Sequence, residues 1–484
     1  MLASLRRLRP TQIAVLLIFI VTCLRLWYST RVGLVADEAY YWLWAKHPAL
    51  SYRDKGPMVA WIIWLGVKMF GNTVFGIRFF AVILSSAIGW LIFVLARRLY
   101  GERTALWCLL MALFIPEMAI GSILMTIDTP SVFFWALAVL LFWGALHNGK
   151  ISTWFWLGLV IGAGFLAKFT NGVQLICIGF FLLWSKEHRH LLFGPKIFVM
   201  GVAFLLASLP IFIWNAETGW VHVMALHSRS GVTNTFHILP GQLLKFIFMQ
   251  FGVVSPFFMT GIVVAAIALL LNRREDLRSR FLLSQWLPLN ALFAFFALNN
   301  AGQPNWTVPS LVTAIIFCVA FWRELAASSR MWRGVVVSCF AFTAVVVLVL
   351  LCMIILPLPR ALTLMQRGEG WPDFAAHIEK ARVADKADLL LGTDYQAASL
   401  MAFYLPDQPT TYLPPQPYGS SQFTLWPGYK VTPGMRALYV TWNIEDAPPA
   451  LKQQFSKIQL VDDFYTQDHG HPMRHAYIYL CTAD

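Results

Sequence analysis

Long apolar runs, separated by short breaks carrying charge, Pro or Gly, recur along the first 356 residues of the chain. A helix rises about 1.5 Å per residue, so roughly 20 apolar residues cross the hydrocarbon of a bilayer. Such runs lie near 11–28, 73–95, 104–121, 129–147, 153–168, 171–185, 196–214, 242–271, 281–298, 305–322 and 333–356. About eleven transmembrane helices are expected, and a mainly α, polytopic membrane domain over residues 1–356. The stretch 153–185 is short for two passes. It either divides at Lys168-Phe169-Thr170-Asn171-Gly172 or forms one buried hairpin.

Residues 357–484 follow a different pattern. Pro359, Pro372, Pro406 and Pro414-Pro415 punctuate short apolar runs. Asp388–Thr393 and Arg436–Thr441 read as buried strands, and Ala375–Arg382 and Ala397–Tyr404 as amphipathic helices. A small α/β C-terminal domain is expected there.

Composition supports lipid as the main solvent. Of the 484 residues, 58% are hydrophobic and 13% charged, against roughly 25% charged in soluble domains. The net charge of +13 does not indicate nucleic-acid binding, because the cations form no basic patch on a polar domain. Of the 7 cysteines, six fall inside predicted spans, where Cys is a small buried hydrophobe, and Cys481 stands alone. No Cys-x-x-Cys pair suggests zinc or a disulfide framework.

Lys and Arg near helix ends set orientation. With a cytoplasmic N-terminus, Arg6, Arg7 and Arg9 lie inside. So do the groups Arg97 to Arg103, Lys150, Lys186 to Lys196, Arg273 to Arg280 and Arg323 to Arg333. These hold 17 of the 27 cations before position 357; an odd number of spans then puts the C-terminal domain outside. The N-terminal apolar run has the outline of a signal peptide, but no small-residue cleavage site follows, so it reads as an uncleaved first helix.

Ten cations break the pattern, and seven of them, Arg25, Arg31, Lys46, Arg53, Lys55, Lys68 and Arg78, surround the first outer loop, residues 29–72. That loop reads Asp37-Glu38-Ala39-Tyr40-Tyr41-Trp42-Leu43-Trp44, then Arg53-Asp54-Lys55-Gly56-Pro57. Its Tyr and Trp residues suit a helix lying at headgroup level, and 58–70 is too short to span and lies along the surface. Asp37 and Glu38 are either N-capping groups or carboxylates poised beside an anionic headgroup. Arg53 and Lys55 either ligand its phosphate or snorkel to lipid. Asp128, in Ile127-Asp128-Thr129-Pro130, begins a span from the outer side. An acid there marks a functional site or caps a Pro-started helix. Lys168, His222, His227, Arg229 and Asn305 add polar groups to the same face. Acids and cations gathered on one face distinguish the chain from a transporter, which places them near the midplane.

These elements resemble the membrane-embedded C-type glycosyltransferases, in the group of protein O-mannosyltransferases, the lipid A aminoarabinose transferase and the rhizobial galacturonosyltransferases. The likeness is carried by Asp37-Glu38 in Asp-Glu-Ala-Tyr-Tyr-Trp, by Asp54-Lys55-Gly56-Pro57 where relatives often carry a second Pro, by Asp128-Thr129-Pro130 and by the Lys168 turn. It covers roughly residues 10–320. The resemblance implies a GT-C architecture and transfer of a sugar from a polyprenyl-phosphate donor at the periplasmic face of a bacterial inner membrane. Asp37, with Glu38 and Asp128, would be catalytic; Lys55, Arg53, Tyr40, Lys168 and Asn305 would bind substrate. Some relatives hold a metal between the acid before that Lys and a later outer His. Asp54 with His222 or His227 would be its ligands here, and no required metal or other cofactor is expected. The acceptor would be lipid A, core or another envelope glycolipid. A lipid or sugar transporter without catalysis, or a transferase acting on protein, are the alternatives.

Overall fold

The computed structural model describes residues 9–229, 237–300, 302–356, 368–444 and 447–484, without the side chains of 226–229, 354 and 355. Arg6, Arg7 and Pro359, and the side chains of His227 and Arg229, lie outside that set.

Among the described residues, six helices are long and apolar enough to cross a membrane: Pro10–Ser29, Val74–Tyr100, Asp128–Asn148, Pro195–Glu217, Pro304–Ser328 and Arg330–Met353. A seventh crossing is available if Pro240–Val254 and Pro256–Asn272, which meet at 113°, act as one. The remaining expected spans are shorter or broken. In three of them, 104–121, 242–271 and 281–298, proline is the cause: its ring removes a donor and disfavours the helical conformation of the residue before it. Pro116 ends Glu102–Phe114, Pro256 follows Ser255 at φ 91°, and Pro288 lies in the first turn of Leu287–Ala297 after Leu277–Ser284. The 153–185 stretch forms Ile151–Ala167 and Val173–Trp184, with a 3-10 turn, Phe169–Gly172, at the expected break. The bundle core runs through Phe93, Trp135, Phe142, Trp154, Phe181, Phe281 and Phe317, all fully buried.

The C-terminal domain is a mixed four-stranded sheet of order β1-β2-β4-β3, with β1 Leu389–Gly392, β2 Arg436–Thr441, β3 Lys457–Asp468 and β4 His471–Thr482. β1 and β2 are parallel, joined across the helix Tyr395–Tyr404; the other pairs are antiparallel. The two expected strands and two expected helices form here. The β3–β4 hairpin does not show in the pattern, because β3 keeps one thin buried side, Phe464 and Thr466, among exposed residues.

The loop helix Ala36–Lys46 overturns one expectation. Its aromatic residues do not face lipid headgroups: Tyr40, Tyr41, Trp42 and Trp44 are buried. They share one core with Trp371, Phe374, Leu400, Phe403, Leu438 and Phe464 of the C-terminal domain. Trp42 packs edge-on to Phe403, and Tyr40 lies 4.6 Å from the Tyr395 ring. Helix Met58–Phe70 does keep an apolar outer face, with Trp64, Leu65 and Met69 exposed.

Candidate active site

The two acids of the first loop, adjacent in sequence, point to opposite sides. Glu38 is fully buried and accepts four hydrogen bonds: from Arg78 Nε (2.8 Å) and Nη2 (2.5 Å), Met125 N–H (2.8 Å) and Val35 N–H (3.1 Å). Arg78, also fully buried, directs its other donors to the carbonyls of Ser29, Val32 and Gly33 at 2.8 Å each. Every N–H of the guanidinium is therefore matched, as a buried ion pair requires. The expected placement of Glu38 among reacting groups is corrected by this geometry: it anchors the start of the loop helix and reaches no open space. Arg78 likewise serves Glu38 and not a lipid phosphate.

Asp37 takes the other direction. The helix is capped at Val35, and the Asp37 side chain bonds no backbone N–H. Instead it lines a cavity of about 1300 Å³. Its Oδ1 accepts from the Tyr395 hydroxyl at 3.2 Å.

The turn Arg53-Asp54-Lys55-Gly56-Pro57 forms the next wall. Gly56 is demanded by close approach: a Cβ there would overlap the Leu166 carbonyl oxygen. Its absence lets the turn that carries Lys55 press against the turn that carries Lys168. Asp54 accepts from the Tyr40 hydroxyl at 2.9 Å and from Arg53 Nη1 at 2.6 Å. Arg53 also donates from Nε to the Gly419 carbonyl, and its own N–H goes to Gln422 Oε1 at 2.8 Å. Burial, with the Asp54 charge adding to it, pushes the Tyr40 hydroxyl well up. Burial and then Asp37 and Asp128 do the same for Tyr41. Both phenols therefore keep their protons, and Tyr40 donates its own to Asp54.

Asp128 completes the opposite wall. Its carboxylate does not cap its helix; Oδ1 accepts from Lys168 Nζ at 2.6 Å and Oδ2 from Asn305 Nδ2 at 2.8 Å. Three elements far apart in sequence thus converge, and Lys168, 9% exposed, is turned inward away from lipid.

The cavity gathers Asp37, Tyr40, Arg53, Asp54, Lys55, Asp128, Lys168 and Asn305. Of the expected site residues Glu38 and His222 lie apart, and the side chain of His227 is outside the described residues. His222 is buried, donates from Nδ1 to the Tyr52 carbonyl at 2.7 Å, and packs on Phe169. Among the described residues no three His, Cys, Asp or Glu side chains cluster as metal ligands would. Among the lining residues that sequence alone does not mark as site groups are Arg25, Glu117, Tyr395 and Arg474. Arg25 and Glu117 carried a signal, since charge within or at the end of an apolar run needs a reason. The other two sit in the C-terminal domain, where no pattern points to them. The same cavity is lined by Ile88, Gly89, Ala112, Leu113 and Met118, apolar residues on the membrane helices and the short helix that follows them.

The sequence and the fold find parallels among known proteins. A family model described as dolichyl-phosphate-mannose-protein mannosyltransferase matches residues 54–214. Lipid A galacturonosyltransferase RgtD of Rhizobium johnstonii is 26% identical over 292 residues, covering 58% of this chain and 59% of that protein. The undecaprenyl phosphate-alpha-4-amino-4-deoxy-L-arabinose arabinosyl transferase of Pseudomonas aeruginosa is 27% identical over 290 residues, covering 56% of this chain and 50% of that one. The chain therefore spans little more than half the length of these curated relatives. Among solved structures, ArnT from Cupriavidus metallidurans bound to undecaprenyl phosphate aligns with 96% of this chain and 97% of its own, at TM-score 0.61 and 14% identity. Its apo state aligns at TM-score 0.59. The fold is shared.

Proposed function

We propose that this chain, related to the dolichyl-phosphate-mannose-protein mannosyltransferases and to bacterial lipid A sugar transferases, moves a sugar from a polyprenyl phosphate to an envelope glycolipid, lipid A foremost. The observation that carries this reading is one cavity holding Asp37, Lys55 and the Asp128–Lys168–Asn305 set together with apolar side chains of the membrane helices. A lipid-linked sugar suits such a shape: the prenyl chain stays in the bilayer while the phosphate and sugar rise to the polar wall.

In the step we propose, the acceptor hydroxyl oxygen forms a bond to the anomeric carbon as the bond from that carbon to the phosphate oxygen breaks. The electron pair of the broken bond leaves on the polyprenyl phosphate, and the acceptor's proton passes to Asp37. Lys55, with Arg53, stabilises the charge that develops on the departing phosphate. Tyr40 and Asp54 hold Arg53 and the turn in place. Asp128, held by Lys168 and Asn305, faces the acceptor. No metal has a role in this reading. If the acceptor is itself a phosphate, it is already an anion, and Asp37 orients it without taking a proton.

The broken and short helices complete an eleven-pass layout in this reading, with the N-terminus cytoplasmic and the C-terminal domain periplasmic in a bacterial inner membrane. A phosphatase reporter fused after Asp484 tests that orientation. Asp37→Asn and Asp37→Ala, assayed in membranes supplied with undecaprenyl-phosphate sugars and lipid A, test the chemistry. Loss of transfer with retained protein is expected; undiminished transfer would remove Asp37 from the mechanism. Mass spectrometry of lipid A from cells with and without the protein identifies the sugar and acceptor.

A further inference from the structure

Asp37 lies on the membrane-embedded part, yet it accepts a hydrogen bond from the other domain. Tyr395 begins the helix Tyr395–Tyr404, whose start is fixed by Asp394 accepting from Ala397 N–H at 2.8 Å. The ring rests against Tyr40 at 4.6 Å, and the hydroxyl, 3.2 Å from Asp37 Oδ1, itself accepts from Gln396 Nε2 at 3.3 Å. Burial first, then the Asp37 charge, push this phenol up to about 12. It therefore remains a donor, and the carboxylate meets a fixed O–H at one oxygen. Among the described residues none donates to Oδ2, and Asp37 lines the cavity.

The same domain grips the rest of the loop. Gln422 N–H donates to the Tyr40 hydroxyl, and the Gly419 carbonyl and Gln422 side chain hold Arg53. We infer that Tyr395 is a positioning residue for Asp37, aiming Oδ2 at the acceptor, so that the site is complete only with the C-terminal domain docked. This rests on the reading of Asp37 given under Proposed function. Tyr395 itself touches no reacting atom.

Tyr395→Phe keeps the ring contact and removes only the donor. Tyr404→Phe is the matched control: it lies on the same helix and its hydroxyl accepts from Leu34 N–H at 2.7 Å, joining the same two domains without touching Asp37. The assay uses the full chain, undecaprenyl phosphate carrying aminoarabinose or galacturonate, and lipid A. Tyr395→Phe is expected to lower kcat by about ten- to a hundredfold, the range for a lost hydrogen bond to a charged group, with both KM values within about threefold. Tyr404→Phe should leave kcat within about threefold of wild type. Wild-type kcat in Tyr395→Phe while Asp37→Ala is inactive would overturn the inference and leave the proposed function standing. Equal losses in the two Tyr variants would also overturn it, reducing Tyr395 to a docking contact. A wild-type chain that transfers neither sugar would overturn the proposed function and this inference together.

Discussion

Neighbouring acids in the first loop should respond to the same deletion in opposite ways. In Glu38→Ala, the fully buried Arg78 loses both carboxylate contacts, and the Met125 and Val35 N–H groups lose their acceptor. Orphaning one member of a buried ion pair costs about 3–5 kcal/mol. Domains are stable by only about 5–15 kcal/mol in total, so this change takes a large part of the margin. Asp37 is half-buried and accepts one 3.2 Å bond; its removal should cost about 1 kcal/mol or less. The assay is a heating series on detergent-purified protein, followed by the monodisperse fraction, beside sugar transfer at low temperature. Glu38→Ala should lose several degrees of thermal tolerance, whereas Asp37→Ala should melt near wild type and be inactive. The pair Glu38→Leu/Arg78→Met should be less damaged than the single changes added together, because no charge is left unpaired. Equal melting of the two Ala variants, or additive losses in the double, would refute the account of Glu38 as a buried anchor.

Three other expectations are sharper for having a partner residue named. Gly56→Ala sets a Cβ against the Leu166 backbone and should cost about 1–3 kcal/mol of stability, as overpacking does, with a fall in transfer; a variant that melts and turns over like wild type would show that the turn can move. Asn305→Ala and Lys168→Met each strip one donor from Asp128, and each should lower kcat about tenfold or more; unchanged kcat in both would separate Asp128 from the reaction. Burial, with Asp468 adding repulsion, pushes the Glu369 carboxyl up to about 7 from 4.5, so the folded state binds that proton more tightly than the unfolded one. Its contribution to stability should therefore fall as pH rises from about 4.5 to 7 and be level above; Glu369→Gln should flatten that part of the melting profile, and an unchanged slope would dispose of it.

What was legible in the sequence, and what was not, divides along the range of the interaction. Apolar periodicity is local, so the long spans, the loop helix and two strands could be read directly. Proline breaks are local too, yet the run 242–271 reads as one element, because hydropathy is blind to the 113° bend at Ser255-Pro256. The residue types of the site were visible because acids and cations stand out against an apolar background. Their partners were not. Glu38 finds Arg78 40 positions away, Asp128 finds Asn305 177 away, and Asp37 finds Tyr395 358 away. The acidic pair shows what this does to inference: two carboxylates with the same local signal differ only in which distant group folds against them. One signal could have separated them. Arg78 lies inside an apolar run, where a cation needs a buried anion, and a helix places successive residues about 100° apart. Only one of Asp37 and Glu38 could meet it, leaving the other for the cavity. That constraint says an anchor exists without saying which acid it is, and the choice rests on packing against Met125 and the backbone of the preceding turn. The same logic accounts for the aromatic residues. Tyr40 and Trp44 suit a membrane interface by composition, but a second domain folds over them and makes them core, so the outer wall of the site comes from residues that the loop alone does not reveal.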